Sequence, residues 1–112
     1  MQRVETTSRG PVTVVAVNGP LTDETTDQAR AQTLKAIEQS VGRVVLDAAG
    51  IPYADSLGIE MLLDTADGLD SIGQSLRLAS VGETLREILE LTGVSNRLEF
   101  YEDVNQAVRS LA

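Results

Sequence analysis

Ser56 is the residue of this sequence best placed to take part in a reaction. It lies in Tyr53-Ala54-Asp55-Ser56-Leu57-Gly58-Ile59, where an apolar run has ended and a helical period begins. The spacing predicts Ser56 in the first turn of that helix. Backbone N–H groups there lack partners, and the positive end of the helix dipole faces outward. A phosphate on Ser56 would meet those donors, as anions do at helix starts. Gly58 carries no side chain, which leaves room for a partner's backbone to come close. The bland reading stands beside this one. Asp and Ser are ordinary N-cap residues, and a plain cap is the commoner meaning of such a pair. Neither is followed three residues on by Glu or Gln, so no capping box is formed.

Other chemistries find little support. The chain has no cysteine and no histidine. That removes disulfides, thiolate nucleophiles and thiolate metal sites, and with them the commonest general base and metal ligand. A Ser56 nucleophile would lack its usual base, and no Gly-x-Ser-x-Gly, P-loop or Gly-x-Gly-x-x-Gly is present. A small-ligand or nucleotide binder would therefore have no dedicated phosphate loop. Asp64, Asp67 and Asp70 with Gly68 are spaced wrongly for a calcium loop, which takes ligands at alternate positions, and they read better as a solvated helix face. Tyr53 could stack on a ligand, but a lone aromatic before a helix more often packs. No catalytic group, metal site or cofactor is expected.

With 17 acidic and nine basic residues the formal net charge is −8. Such a surface repels nucleic acid and anionic membranes. No apolar stretch approaches the roughly 20 residues of a membrane helix, and Met1 to Gly10 holds no signal-peptide core. A cytoplasmic protein without direct membrane contact is expected. The 112 residues suit one domain, 1–112, and with only three aromatic residues its core must be aliphatic.

The elements that must position Ser56 follow from periodicity. Gln2 to Thr7 is expected as an edge strand, Ser8-Arg9-Gly10 as a hairpin turn and Val12 to Val17 as a buried strand. A helix from Asp23 or Glu24 would bury Ala29, Thr33, Leu34, Ile37 and Val41 and stop at Gly42. Arg43 to Leu46 is the next strand, and Asp47 to Asp55 a loop. The helix from Ser56 buries Ile59, Leu62, Leu63, Ala66 and Leu69 and ends before Gly73. Ser75 to Ala79 is a strand. Glu83 to Leu91 is a helix with Leu85, Ile88 and Leu89 inward and Gly93 as its stop. Leu98 to Tyr101 is the last strand. A closing helix capped by Asp103 and Gln106 turns Val104, Ala107, Val108 and Leu111 inward. The order β, β, α, β, α, β, α, β, α calls for an α/β fold: a mixed, mostly parallel sheet of about five strands with about four helices.

The stretch from Leu46 through Asp47 and the loop to Asp55-Ser56-Leu57-Gly58-Ile59 resembles the signature of STAS domains, and among them the bacterial anti-sigma factor antagonists. Gly19-Pro20-Leu21-Thr22, Leu91-Thr92-Gly93-Val94, Leu98 to Tyr101 and Asn105 to Val108 are similar to further elements of that family, in its order. The resemblance implies a STAS-type fold and a non-enzymatic switch. Ser56 would be the phosphoacceptor of an anti-sigma factor that is also a serine protein kinase. The unmodified form would bind that kinase and free a sigma factor, and a phosphatase would reset the modified one. Asp55, Leu57 and Gly58 would meet the partner, with Leu21, Thr22 and Asp23 as an adjacent rim. Leu57 stands where many antagonists carry a small residue, and Thr22 where many carry Asp. The resemblance leaves a second role open, as a subunit of a lipid-transport ABC system or a stress-sensing assembly.

Overall fold

The computed structural model describes residues 3–111. Strand β1 is Val4–Arg9, β2 Val12–Val17, β3 Val44–Asp47, β4 Leu76–Ala79 and β5 Leu98–Tyr101. Helix α1 is Asp23–Ser40, α2 Ser56–Asp70, α3 Glu83–Leu91 and α4 Val104–Arg109, with a 3-10 turn at Val94–Arg97 before β5. The strands lie side by side in chain order. The β1–β2 hairpin is antiparallel, and β2, β3, β4 and β5 run parallel. The sequence therefore predicts the sheet and its four helices correctly.

Chain order in the sheet has a consequence for the layers. Parallel strands added always to the same side, through right-handed crossovers, put every crossover helix on one face. Accordingly Val15, Val17, Val44, Leu46, Leu76 and Leu78 face the larger core with residues of α1, α2 and α3. The opposite pleat, Val12, Val14, Val45 and Ala79, packs on Ala107 of α4, with Val104, Val108, Tyr101 and Leu111 around it.

Several boundaries differ from expectation. Gln2, the expected start of the first strand, lies outside the described residues. The strand continues to Arg9, and the turn is Gly10-Pro11, so Ser8 and Arg9 pair with Thr13 and Val12 instead of turning. Asp47, not Arg43, belongs to β3, and β4 begins at Leu76 rather than Ser75.

The buried face of α1 also differs. It is made of Thr25, Thr26, Ala29, Thr33 and Ala36, while Leu34 and Val41 are 53% and 69% exposed. Hydrophobicity pulls the assignment toward Leu34. The sheet is instead approached by the helix's small residues, which let its axis sit close.

The end of α1 carries local strain. The left-handed conformation expected of Gly42 begins one residue earlier, at Val41, with φ 52°. A β-branched residue fits that region poorly. Its side chain is mostly exposed, so nothing in the core holds it there. Val41→Gly is expected to raise stability by about 1 kcal/mol. The check is urea unfolding, read as a higher midpoint with an unchanged slope.

Candidate functional site

The site is assembled by the two segments that leave the carboxyl ends of β2 and β3. Beyond the sheet they keep pairing. The Gly19 N–H donates to Gly50 O at 2.9 Å, the Leu21 N–H to Tyr53 O at 2.9 Å and the Asp55 N–H to Leu21 O at 3.3 Å. Leu21 and Ala54 form an isolated parallel bridge. The loop from Ala48 to Asp55 is thus the sheet's ladder extended past its edge. It delivers Asp55 to the start of α2 in a fixed place.

Two glycines make this approach possible. A Cβ on Gly50 would lie 2.5 Å from Asn18 Oδ1 and 2.8 Å from Val17 O. One on Gly58 would lie 2.2 Å from Leu21 O and 3.1 Å from the Leu21 side chain. Real carbons do not come that close to a carbonyl oxygen, so the backbones can meet only without those side chains. The room that the sequence reading left for a partner at Gly58 is occupied by Leu21 of the chain itself. Leu21 is fully buried and Gly58 is buried, so neither residue is presented at the surface. They are the floor of the site.

Asp55 and Ser56, indistinguishable as capping residues in sequence, part ways here. Asp55 is the N-cap, and its Oδ1 accepts from the Gly58 N–H at 3.0 Å. The Ile59 N–H is taken by Asp55 O at 2.9 Å. Ser56 is the first helical residue, is exposed, and its hydroxyl has no hydrogen-bond partner among the described residues. The N–H groups of Ser56 and Leu57 remain unused in the same sense. Capping is therefore done by Asp55, and the Ser56 hydroxyl is left over.

Around it, Leu57 is 52% exposed and faces a hollow of about 310 Å³ shared with Asp23, Glu24, Thr26, Asp27 and Arg30 of α1. Arg30 is held by Asp64 of α2 at 3.1 Å, which ties the two helices across this hollow. Thr26 is buried, and its Oγ1 has no partner among the described residues. Thr22 and Asp23 also border a second hollow with Arg3, Glu24, Thr25 and Gln28. Asp23 opens α1 at φ 42°, a left-handed conformation that Asp tolerates better than most residues.

The structure thus brings Leu57 and Asp23 to one surface, with Asp55 beneath Ser56 and Thr22 beside Asp23. Sequence reasoning missed Thr26, Asp27 and Arg30. They stand three, four and seven residues after Asp23, a helical spacing that was legible. That this face of α1 meets Leu57 was not. Of the acidic residues along α2, Asp64 pairs with Arg30 and Asp67 with Arg97.

These features define a STAS domain, and the sequence matches that family over residues 3–107. The chain belongs to the STAS domain family. Among solved structures it is similar to an anti-sigma factor antagonist STAS domain protein from Planctomyces limnophilus, at TM-score 0.84 and 22% identity, covering 100% of this chain and 99% of that one. The Bacillus cell fate determinant SpoIIAA in its phosphorylated form is matched at TM-score 0.72 and 18% identity, over 97% and 99% of the two chains. A murine solute carrier 26 family anion transporter is matched at TM-score 0.75 and 18% identity, over 91% of this chain and 18% of that one. What these likenesses share with the present chain is the fold. No curated protein sequence is matched.

Two substitutions separate fold from surface at this site. Gly58→Ala is expected to cost about 1–3 kcal/mol, through the forced shift of Leu21. Asp55→Ala should cost about 1 kcal/mol for the lost cap, whereas Ser56→Ala should stay within about 0.5 kcal/mol. Denaturant unfolding of the three variants measures all of these. A Ser56→Ala loss as large as that of Asp55→Ala would return Ser56 to a capping role.

Proposed function

We propose that this chain is a non-catalytic binding module whose affinity for a protein partner is switched by phosphorylation of Ser56, as in an anti-sigma factor antagonist. The carrying observation is the hydroxyl of Ser56, exposed at the first position of α2 while Asp55 alone does the capping. The solved Bacillus relative in phosphorylated form supports the reading. The partner is an anti-sigma factor that is also a serine kinase. It transfers the γ-phosphoryl group of ATP to Ser56 Oγ, with the bond from the γ-phosphorus to the bridging oxygen breaking to leave ADP, and the hydroxyl proton leaves to the kinase. A phosphatase returns the chain to its binding form. The setting is the cytoplasm.

The physics of the switch is local. Unmodified, the surface offers an apolar knob, Leu57, beside the carboxylates of Asp23, Glu24 and Asp27. A partner with an apolar pocket and basic side chains complements it. Phosphate adds about −1.5 to −2 charge. The free N–H groups of Ser56 and Leu57 receive it within the folded chain. A docked partner would meet a buried, doubly charged group in the middle of its contact. A penalty of about 3 kcal/mol there weakens binding on the order of a hundredfold, with no refolding.

The likeness to a transporter domain favours one other reading, a fixed subunit of a transport or sensing assembly. The two are separated by paired affinity capture on Ser56→Ala and Ser56→Asp forms, followed by titration calorimetry with the partner recovered. A kinase-like ATPase that binds the Ala form about a hundredfold more tightly than the Asp form is the expected outcome. Equal binding of both forms, by that ATPase or by an ABC ATPase or scaffold, would overturn the switch.

A further inference from the structure

Strand β1 lies at one edge of the sheet, and five of its six residues are exposed. Arg9 and Val12 close a two-residue turn, so they face each other as a hydrogen-bonded pair. The Asn18 N–H donates to Arg3 O at 2.7 Å, in the same phase. Arg3, Glu5, Thr7 and Arg9 therefore spend their backbone groups on β2. The N–H and C=O groups of Val4, Thr6 and Ser8 point to the free edge. Sheets usually protect such an edge with Lys, Pro or a bulge. Val-Glu-Thr-Thr-Ser-Arg contains neither Lys nor Pro, and its register with β2 runs without a bulge.

We propose that β1 pairs antiparallel with β1 of a second copy of this chain, in the register that sets Glu5 of each copy opposite Arg9 of the other. In that register Thr7 meets Thr7 on the two-fold axis and Thr6 meets Ser8. The outward N–H and C=O groups find one another, and the Glu5–Arg9 pairs fall at positions where opposed side chains are closest. The contact is isologous, so each complementary pair occurs twice. Charge selects this register among its neighbours. A slide of two residues sets Arg3 against Arg9, and a slide of four sets Glu5 against Glu5. The opposite slide shortens the paired stretch.

The helix beside this edge fits the same use. The Thr6 hydroxyl reaches Gln32 of α1 at 3.5 Å, and Gln28 borders the same hollow as Arg3. Gln28, Gln32, Lys35 and Gln39, at helical spacing, hold no carboxylate, although the chain carries a net charge of −8. Two copies therefore meet here with less like-charge repulsion than an average face of this molecule imposes. Arg9 already donates to Asn105 at 2.8 Å, but that bond is exposed, and the guanidinium has further N–H groups to offer.

Strand pairing alone makes a small contact of the weak, transient class. Sedimentation equilibrium of the full chain up to about 1 mM is the measurement, with circular dichroism verifying the fold of each variant. The expected result is association of the 12.0 kDa chain into a dimer. Glu5→Arg should weaken it at least tenfold, although that change lowers the net negative charge and would favour unspecific association. The double exchange Glu5→Arg with Arg9→Glu should restore it. Thr6→Pro, which removes an outward N–H and the exposed hydroxyl contact to Gln32 but no bond to β2, should abolish it while leaving the hairpin intact. A chain monomeric throughout, a dimer indifferent to Glu5→Arg or Thr6→Pro, or a double exchange that restores nothing would each overturn the proposal.

Discussion

The contact between Leu21 and Gly58 is the constraint on which the rest of this molecule depends. Leu21 is fully buried, its carbonyl oxygen accepts from Asp55, and its side chain lies against the backbone of α2 where Gly58 has none. Through that contact the start of α2 is locked to the segment that leads into α1. The two helices then share the hollow beneath Leu57, and Arg30 and Asp64 close it on the far side. Gly58, in the first turn of α2, is a poor helix former on propensity alone. Here the loss is offset by packing that no larger residue permits.

This arrangement divides labour between neighbouring residues. Asp55 satisfies one of the helix's orphan N–H groups and fixes where the helix begins. Ser56, one position later, is left with a free hydroxyl and two free backbone donors nearby. An anion added to Ser56 falls on groups that the fold does not need. The switch we propose therefore acts on a partner's surface rather than on the stability of the domain, and the aliphatic core beneath it has no part in the change.

The charge distribution follows the same division. Carboxylates gather on the first turns of α1, beside Leu57, and along the exposed side of α2, where single surface pairs with Arg30 and Arg97 contribute little to stability. The edge strand β1 carries one, Glu5, between Arg3 and Arg9, and Gln28, Gln32, Lys35 and Gln39 on α1 carry none. One chain thus carries a strongly acidic end beside Ser56 and a near-neutral edge, and these two surfaces suit different partners.

The sequence by itself determined the element order, the parallel sheet with its antiparallel hairpin, the bounds of α3 and β5, and the place of Ser56 at a helix start. Those follow from local rules: β-branched runs, helical spacing, Gly stops and caps act over a few residues, and a family resemblance over the whole chain reinforced them. Tertiary structure decided what local rules leave degenerate. Leu34 and Thr33 are adjacent on one helix, and only the sheet's position chose Thr33 for the core. Asp55 and Ser56 are equal as caps until the helix is built, when one side chain reaches the Gly58 N–H and the other does not. Gly58 reads in sequence as an opening toward a partner, yet the space beside it is filled by Leu21, thirty-seven residues earlier in the chain. A glycine states only that something comes close, and the fold alone determines what.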